Sequence, residues 1–346
     1  MSLEITDQDA FEDFLTSAEI QIETWDVDPL YPVVGEMYDR LGWDEEQRLW
    51  YTSLFTCYYW MKTIEVVHDQ HPHPQPVDQD YTYPDAWNMK VRKERRCVYQ
   101  KGAGAEHMSW MAEQAPLTES IVPLVEKGGQ EGWDAFREWY EQAPHAGGWA
   151  SYKFADMLKY AHGYDITASD MGTGSGVEIR GPLAGIQLMT NLNSIDEVEE
   201  SVNIQWEFYD ECQDHGVGFK GLEQMETCLC NYKSMTKGNY YVGCDIDNMQ
   251  RQINNTTNEG GYENYTDDSM NMFYEIRSDL FPDYMLGEKT AGRRAGEVEA
   301  FNTLYRDEGI IRWWEHYDKP AREGEDPIDN DPDPNRMSTS KLNEFA

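Results

Sequence analysis

The sequence predicts a mainly α-helical protein. Two observations carry that expectation: apolar residues recur at steps of three and four along most of the chain, and alternating β-branched runs are few. With 346 residues, 40% hydrophobic and 13% aromatic, the chain has enough apolar mass for one large domain or two ordinary ones. The first helix is expected over 9–24. The next spans 44–68, with Leu49, Leu54, Tyr58, Met61 and Ile64 on its inner face, and the closely spaced prolines of HDQHPHPQP stop it. Further helices are expected over 105–114, 118–127, 130–142, 151–162, 195–213, 221–236, 245–253, 268–279 and 297–316, separated by Gly-rich turns. From residue 318 the composition turns acidic, proline-bearing and poor in apolar groups, so 318–346 reads as an acidic disordered tail. Residues 1–317 show no internal repeat and no clear linker, and read as a single helical domain of one lobe or two.

Charge is the unusual quantity. The chain carries 65 Asp and Glu against 28 Lys and Arg, a net −37, with the acids spread along its whole length. Self-repulsion of that size opposes compaction at low salt but keeps a protein hydrated in concentrated salt, which points to a halophilic virus or archaeon. No run approaches the roughly 18 apolar residues of a membrane span, and no basic region precedes an apolar block at the N-terminus, so a cytoplasmic location is expected, the host's if the source is viral. Cys57, Cys97, Cys212, Cys228, Cys230 and Cys244 lack C-x-x-C spacing and suggest no zinc ribbon. His68, His71 and His73 lie in a proline-broken loop with no matching distal pair, so no metal site is expected there. A phosphate-binding G-x-x-x-x-G-K-[ST] loop is absent, and no cofactor is called for.

The chemistry concentrates in a few stretches. GGWASYKFADMLKYAHGYDITASDMG, residues 147–172, places two glycines ahead of a helix and an acid after it. Helix N-termini bind phosphate because their first N–H groups are unpaired and the dipole favours an anion. The stretch resembles the helix-hairpin-helix element of DNA glycosylases, with Gly147 and Gly148 as the hairpin, Lys153 in the lysine slot, Ala155 at the small packing position and Asp170 as the acid. Two departures stand out: the glycines are adjacent, and the step from Ala155 to Asp170 is slightly short. An ordinary capped helix is the other account.

Residues 221–253 (GLEQMETCLCNYKSMTKGNYYVGCDIDNMQRQI), 171–187 (MGTGSGVEIRGPLAGIQ) and 58–65 (YYWMKTIE) add a second signal. Together they resemble phage thymine-hypermodification enzymes, the alpha-glutamyl/putrescinyl-thymine pyrophosphorylase-like amino acid:DNA transferases of DNA-glycosylase-like fold, over about residues 30–255. The resemblance implies a reaction in which 5-hydroxymethyluracil in DNA, already activated by pyrophosphorylation, loses pyrophosphate to an amine. The implied partners are that DNA, an amino acid or polyamine donor, and a separate DNA base kinase.

Such chemistry needs a base taken out of the stack and covered by aromatic faces. Tyr58, Tyr59, Trp60, Trp149 and Tyr152 are candidates, with plain core packing as the alternative for each. A departing pyrophosphate needs cationic partners. Arg92, Lys93, Arg95, Arg96 and Lys101 form a dense basic cluster in an acidic chain, and Arg180 lies within the matched GVEIRG. In METCLC, a Cys228 or Cys230 thiolate could add at C6 of the pyrimidine, although residues two apart on a helix cannot face the same way. Glu226 and Cys230 are four apart and share a face, and Asp170 or Glu226 could take the proton of the incoming ammonium. Two other functions fit the same residues: a DNA glycosylase acting on a modified base, and a non-enzymatic viral DNA-binding or structural protein.

Overall fold

The computed structural model describes residues 3–58, 61–78, 103–172, 179–236, 242–243, 245–246, 249 and 267–281. Tyr59, Trp60, the basic cluster at 92–101, most of the helix expected at 245–253, the one at 297–316 and the tail at 318–346 lie outside the described residues. Among the described residues the chain is helical, as its periodicity predicts, with two isolated bridges and no strand ladder. The helices are α1 (Gln8–Glu23), α2 (Leu30–Leu41), α3 (Glu45–Tyr58), α4 (Met61–Gln70), α5 (Ala103–Glu113) and α6 (Leu117–Val125). They continue with α7 (Gly129–Tyr140), α8 (Gly148–Tyr160), α9 (Gly181–Gln187), α10 (Val198–Asp214), α11 (Leu222–Met235) and α12 (Asp267–Leu280). None of them is long and apolar enough to cross a membrane.

Three elements differ from expectation. The helix predicted at 44–68 is two helices, α3 and α4. α2 went unpredicted because Pro32 and Gly35 interrupt its apolar pattern. Gly35 has a packing cause: a Cβ there would stand 2.9 Å from the Ala161 carbonyl oxygen. α9, seven residues opening on Gly-Pro, is too short to show a period.

The described residues fall into two compact units. The middle unit comprises those of Leu30–Ala168 and Gln252–Leu280, and the flanking unit those of Met1–Pro29 and Ser169–Arg251 with Phe281. In the middle unit, α3 is buried without a break from Leu49 to Tyr58 and packs against α4, α5, α6 and α8. Its Glu46 carboxylate caps α6 from outside, accepting the Leu117 and Thr118 N–H groups at 2.7 and 2.8 Å. The buried His162 ring joins the end of α8 to α3, with Nδ1 2.8 Å from Glu45 and Nε2 2.7 Å from Thr52 Oγ1. Burial opposes ionisation of Glu45, yet hydrogen bonds from His162 and Tyr164 hold its carboxyl below the ordinary value.

In the flanking unit the central helix is α11, buried around most of its circumference and packed by α9, α1 and α10. α9 lies close against it: a Cβ on Gly185 would meet the Leu229 carbonyl oxygen at 2.8 Å.

Candidate active site

The middle unit holds the Gly-rich stretch. α7 and α8 pack together, and Glu141–Gly147 joins them. Gly147 is the extended N-cap of α8, with φ −116° and no side-chain cap, and both glycines are exposed. The left-handed turn residue in this connection is not glycine but His145, φ 64°, whose Nε2 lies 2.8 Å from Glu106 Oε2. Space around Gly147 is open, since a Cβ there would meet nothing within 4 Å.

Lys153 and the aromatics follow on α8. Trp149 and Tyr152 stack nearly parallel, their ring planes 2° apart and centres 5.9 Å apart. Trp149 is half-buried, while Tyr152 is fully buried beneath it and meets Trp133 edge-on. Lys153 is only 3% exposed. Its Nζ sits 5.1 Å from the Trp149 ring centre and 3.0 Å from Asp156 Oδ2, so its charge is satisfied within the helix. Asp156 escaped the sequence reasoning, yet a signal existed: Lys and Asp at i and i+3 among Tyr152, Phe154, Ala155 and Met157 mark a pair carried into an apolar face. Tyr58 is buried on α3.

The remaining candidates belong to the flanking unit. Asp170 is half-buried in a turn fixed from α10: the Met171 N–H donates to Gln205 Oε1 at 2.7 Å and Trp206 Nε1–H to the Ser169 carbonyl at 3.1 Å. Its own Oδ1 accepts the Gly172 N–H at 2.5 Å, closing an Asx turn completed by the positive φ of Gly172.

Glu226 and Cys230 come together on α11. The Cys230 thiol donates to Glu226 Oε1 at 3.3 Å; the carboxylate is 2% exposed and the thiol half-buried. Cys228 points into the core, where burial, with Asp26 and Glu226 nearby, pushes its thiol well above the ordinary value and keeps it protonated. The other face of this patch is the start of α9, whose N-cap is the exposed Arg180. A Cβ on Gly181 would stand 3.9 Å from Cys230 Sγ. A buried carboxylate and a partly accessible thiol therefore lie beside the start of α9, where Arg180 is the N-cap residue.

The turn Thr24–Pro29, which the sequence did not single out, also reaches this patch. Thr227 Oγ1 lies 3.3 Å from Asp28 Oδ2 and 3.3 Å from Glu226 Oε2. Asp26 is fully buried and accepts the N–H groups of Gly243, Asp245 and Ile246 at 2.5, 3.1 and 3.1 Å. His68, by contrast, is a packing residue against Trp43 and Tyr51, with burial, aided by His73, depressing its pKa to about 4. Among the described residues, no group of three or more His, Cys, Asp or Glu side chains is arranged to hold a metal ion.

No curated protein and no solved structure matches the chain. A family described as amino acid:DNA transferase matches residues 22–241, which takes in α8, Asp170, Arg180 and all of α11. With well over half its length matched, the chain belongs to the amino acid:DNA transferase family, whose name makes it a transferase acting on DNA.

Proposed function

We propose that the chain transfers an amine, from an amino acid or a polyamine, to the 5-methylene of pyrophosphorylated 5-hydroxymethyluracil in DNA. The new bond joins the amine nitrogen to the methylene carbon. The carbon–oxygen bond to pyrophosphate breaks, and its electron pair leaves with pyrophosphate. Only the neutral amine attacks, so a proton must pass from the incoming ammonium to a base, Glu226 or Asp170. If Cys230 takes part, its proton passes to Glu226 and its thiolate adds at C6 of the base, Asp170 takes the ammonium proton, and Glu226 returns the proton to sulfur when the thiolate leaves. The displaced π electrons then expel pyrophosphate and leave an exocyclic methylene, the amine adds there, and the thiolate departs unchanged.

The observation that carries this proposal is the 3.3 Å contact between Glu226 and Cys230 beside the start of α9. A buried carboxylate next to a partly exposed thiol can accept a proton, and Arg180 at the N-cap of α9 suits a polyphosphate leaving group. The α7–α8 connection would act as a helix-hairpin-helix of the glycosylase kind, with Gly147 and Gly148 offering backbone N–H groups to a DNA phosphate. Trp149, half-buried with the Lys153 ammonium against its ring, would stack on a base of the bound DNA. Activation by a separate base kinase precedes the reaction, in the cytoplasm, and a chain of net −37 suits concentrated salt.

The test is direct. Protein, an oligonucleotide carrying the pyrophosphorylated base and an amine mixture are incubated in molar KCl, then digested, and the nucleosides are weighed. The expected product is an aminated thymidine with no abasic sites. Glu226→Gln and Asp170→Asn separate the two bases: the variant that removes the proton acceptor should lose about 10²- to 10⁴-fold in rate while still binding DNA. Abasic sites from the wild type would replace the proposal with base excision.

A further inference from the structure

The turn Thr24–Pro29 packs against the active patch in an unusual backbone conformation. Trp25 has φ 59° and Asp28 φ 53°, both left-handed and neither glycine. Such conformations persist only where surrounding contacts hold them. Those contacts are present: Asp26 is anchored by three backbone N–H groups, and Lys220 Nζ stands 5.0 Å from the Trp25 ring centre. The result is that Asp28, far in sequence from α11, aims Oδ2 at the Thr227 hydroxyl.

We propose that Asp28 is a positioning residue for transfer, acting on Glu226 through Thr227; this rests on Glu226 being the proton acceptor proposed above. The Thr227 hydroxyl has one hydrogen and two carboxylate acceptors at equal distance, Asp28 Oδ2 and Glu226 Oε2, each 3.3 Å away, with the neutral Glu223 carbonyl farther off at 3.5 Å. It serves one at a time. While Glu226 is ionised, the hydroxyl steadies its Oε2, leaving Oε1 turned toward Cys230. Once Glu226 has taken a proton, its carboxyl is a weaker acceptor and the hydroxyl turns to Asp28. In that step an N–H bond of the ammonium breaks and an O–H bond forms on Glu226, while the Thr227 O–H only rotates. Asp28 gives the hydroxyl a second, charged acceptor, nearer than the Glu223 carbonyl, so protonation of Glu226 is matched by a stronger hydrogen bond elsewhere.

The experiment is a double-variant cycle on the full chain. Asp28→Gly removes the side chain yet keeps the left-handed backbone available, and Thr227→Val removes the hydroxyl at nearly constant shape. Asp28→Asn keeps both backbone tolerance and an acceptor, and Thr227→Ser keeps the hydroxyl. The assay uses the pyrophosphorylated oligonucleotide with an equimolar mixture of the standard amino acids, and thermal melts check that each variant folds. Asp28→Gly and Thr227→Val should each lower kcat by about 10- to 100-fold with the KM for the oligonucleotide unchanged, the range a misplaced catalytic group produces. The double variant should be no worse than either single one, and Thr227→Ser and Asp28→Asn should restore most of the rate. Glu226→Gln divides the failures. If it is inactive while Asp28→Gly turns over like wild type, the positioning role is wrong and Glu226 stands. If Glu226→Gln is fully active, or the wild type transfers nothing, both are wrong. Multiplying effects in the double variant would also overturn the route through Thr227.

Discussion

Helices α8 and α11 are each buried on nearly every side, and each carries charge inside, but they settle that charge in different ways. α8 pairs Lys153 with Asp156 one turn away, under the rings of Trp149 and Tyr152. α11 carries Glu223 and Glu226, and its Glu226 engages a hydroxyl and a thiol while Asp28 reaches in from a turn that precedes α2. A buried cation beside a buried anion gains most from staying as it is. A buried carboxylate against a thiol and a hydroxyl can exchange protons. The difference teaches that the middle unit's buried charge is balanced by an opposite charge one turn away, whereas the flanking unit's buried carboxylate faces groups that can give it a proton.

Breaking the pair on α8 should give the largest effect. Asp156→Ala removes the carboxylate 3.0 Å from the Lys153 ammonium, which is 3% exposed, and should cost about 3–5 kcal/mol, read as a fall in the denaturation midpoint. The double variant Lys153→Met with Asp156→Leu should recover most of that stability, because an apolar pair of similar volume carries no desolvation cost. Transfer by the recovered protein should return to within a few-fold of wild type, since the Met side chain still supports Trp149. A stable double variant that transfers nothing would mean that the Lys153 charge acts in the reaction, and the contrast between the two helices would fall.

Much of this was legible in the sequence, for a physical reason. α1, α7, α10 and α11 present ordinary amphipathic periods, and the observed ends fall close to those the spacing predicts. The approach of Glu226 to Cys230 also followed from a four-residue step on one helix. What stayed hidden depends on chain segments meeting in space. Nothing local to TWDVDP says that Asp28 will meet Thr227, 199 residues later. α2 was hidden by the same kind of cause, since Gly35 looks like a helix breaker until Ala161 is found against it. Burial, too, shows only in three dimensions: Tyr152 is a plausible stacking residue in sequence and a core residue in the fold.

One buried group in each unit should respond to an opposite end of the pH scale. In the middle unit, His107 is buried as the neutral ring, Nδ1–H donating to the Pro144 carbonyl at 2.9 Å and Nε2 2.8 Å from Tyr140 O–H. Burial depresses its pKa to about 4. Between that value and the unfolded value of about 6.5 the unfolded chain binds the extra proton, so this contribution is complete above about pH 6.5 and is lost as pH falls toward 4. From pH 6.5 to 5 the loss should be about 2 kcal/mol. In the flanking unit, Cys228 has its thiol raised by burial, so its contribution is complete below the unfolded value of about 8.5 and is lost as pH rises beyond it. Denaturation curves across pH should show His107→Gln flattening the acid limb alone and Cys228→Ala the alkaline limb alone. Flattening of both limbs by either variant would deny these two groups separate titration.

The smallest effect separates packing from chemistry most finely. Gly35 and Gly185 play the same mechanical part in the two units, each letting one helix lie against the backbone of another: a Cβ would meet the Ala161 oxygen at 2.9 Å in one case and the Leu229 oxygen at 2.8 Å in the other. Neither obstacle is the end of a flexible side chain, so Gly35→Ala and Gly185→Ala must both push helices apart, at about 1–3 kcal/mol each. Their consequences for transfer should differ. Gly185 lies one turn from Gly181, so lifting α9 widens the gap between the start of α9 and the Cys230 thiol, and the rate should fall about three- to tenfold beyond any loss of folded protein. Gly35 presses on the far end of α8, some twelve residues from Trp149, or about 18 Å along the helix. Transfer by Gly35→Ala, measured well below its melting temperature, should stay within about twofold of wild type, since a displacement at the last turn of α8 need not reach the first. If both alanine variants lose rate in proportion to stability, the α9–α11 contact is packing like any other, and the thiol end of that contact has no special part in the reaction.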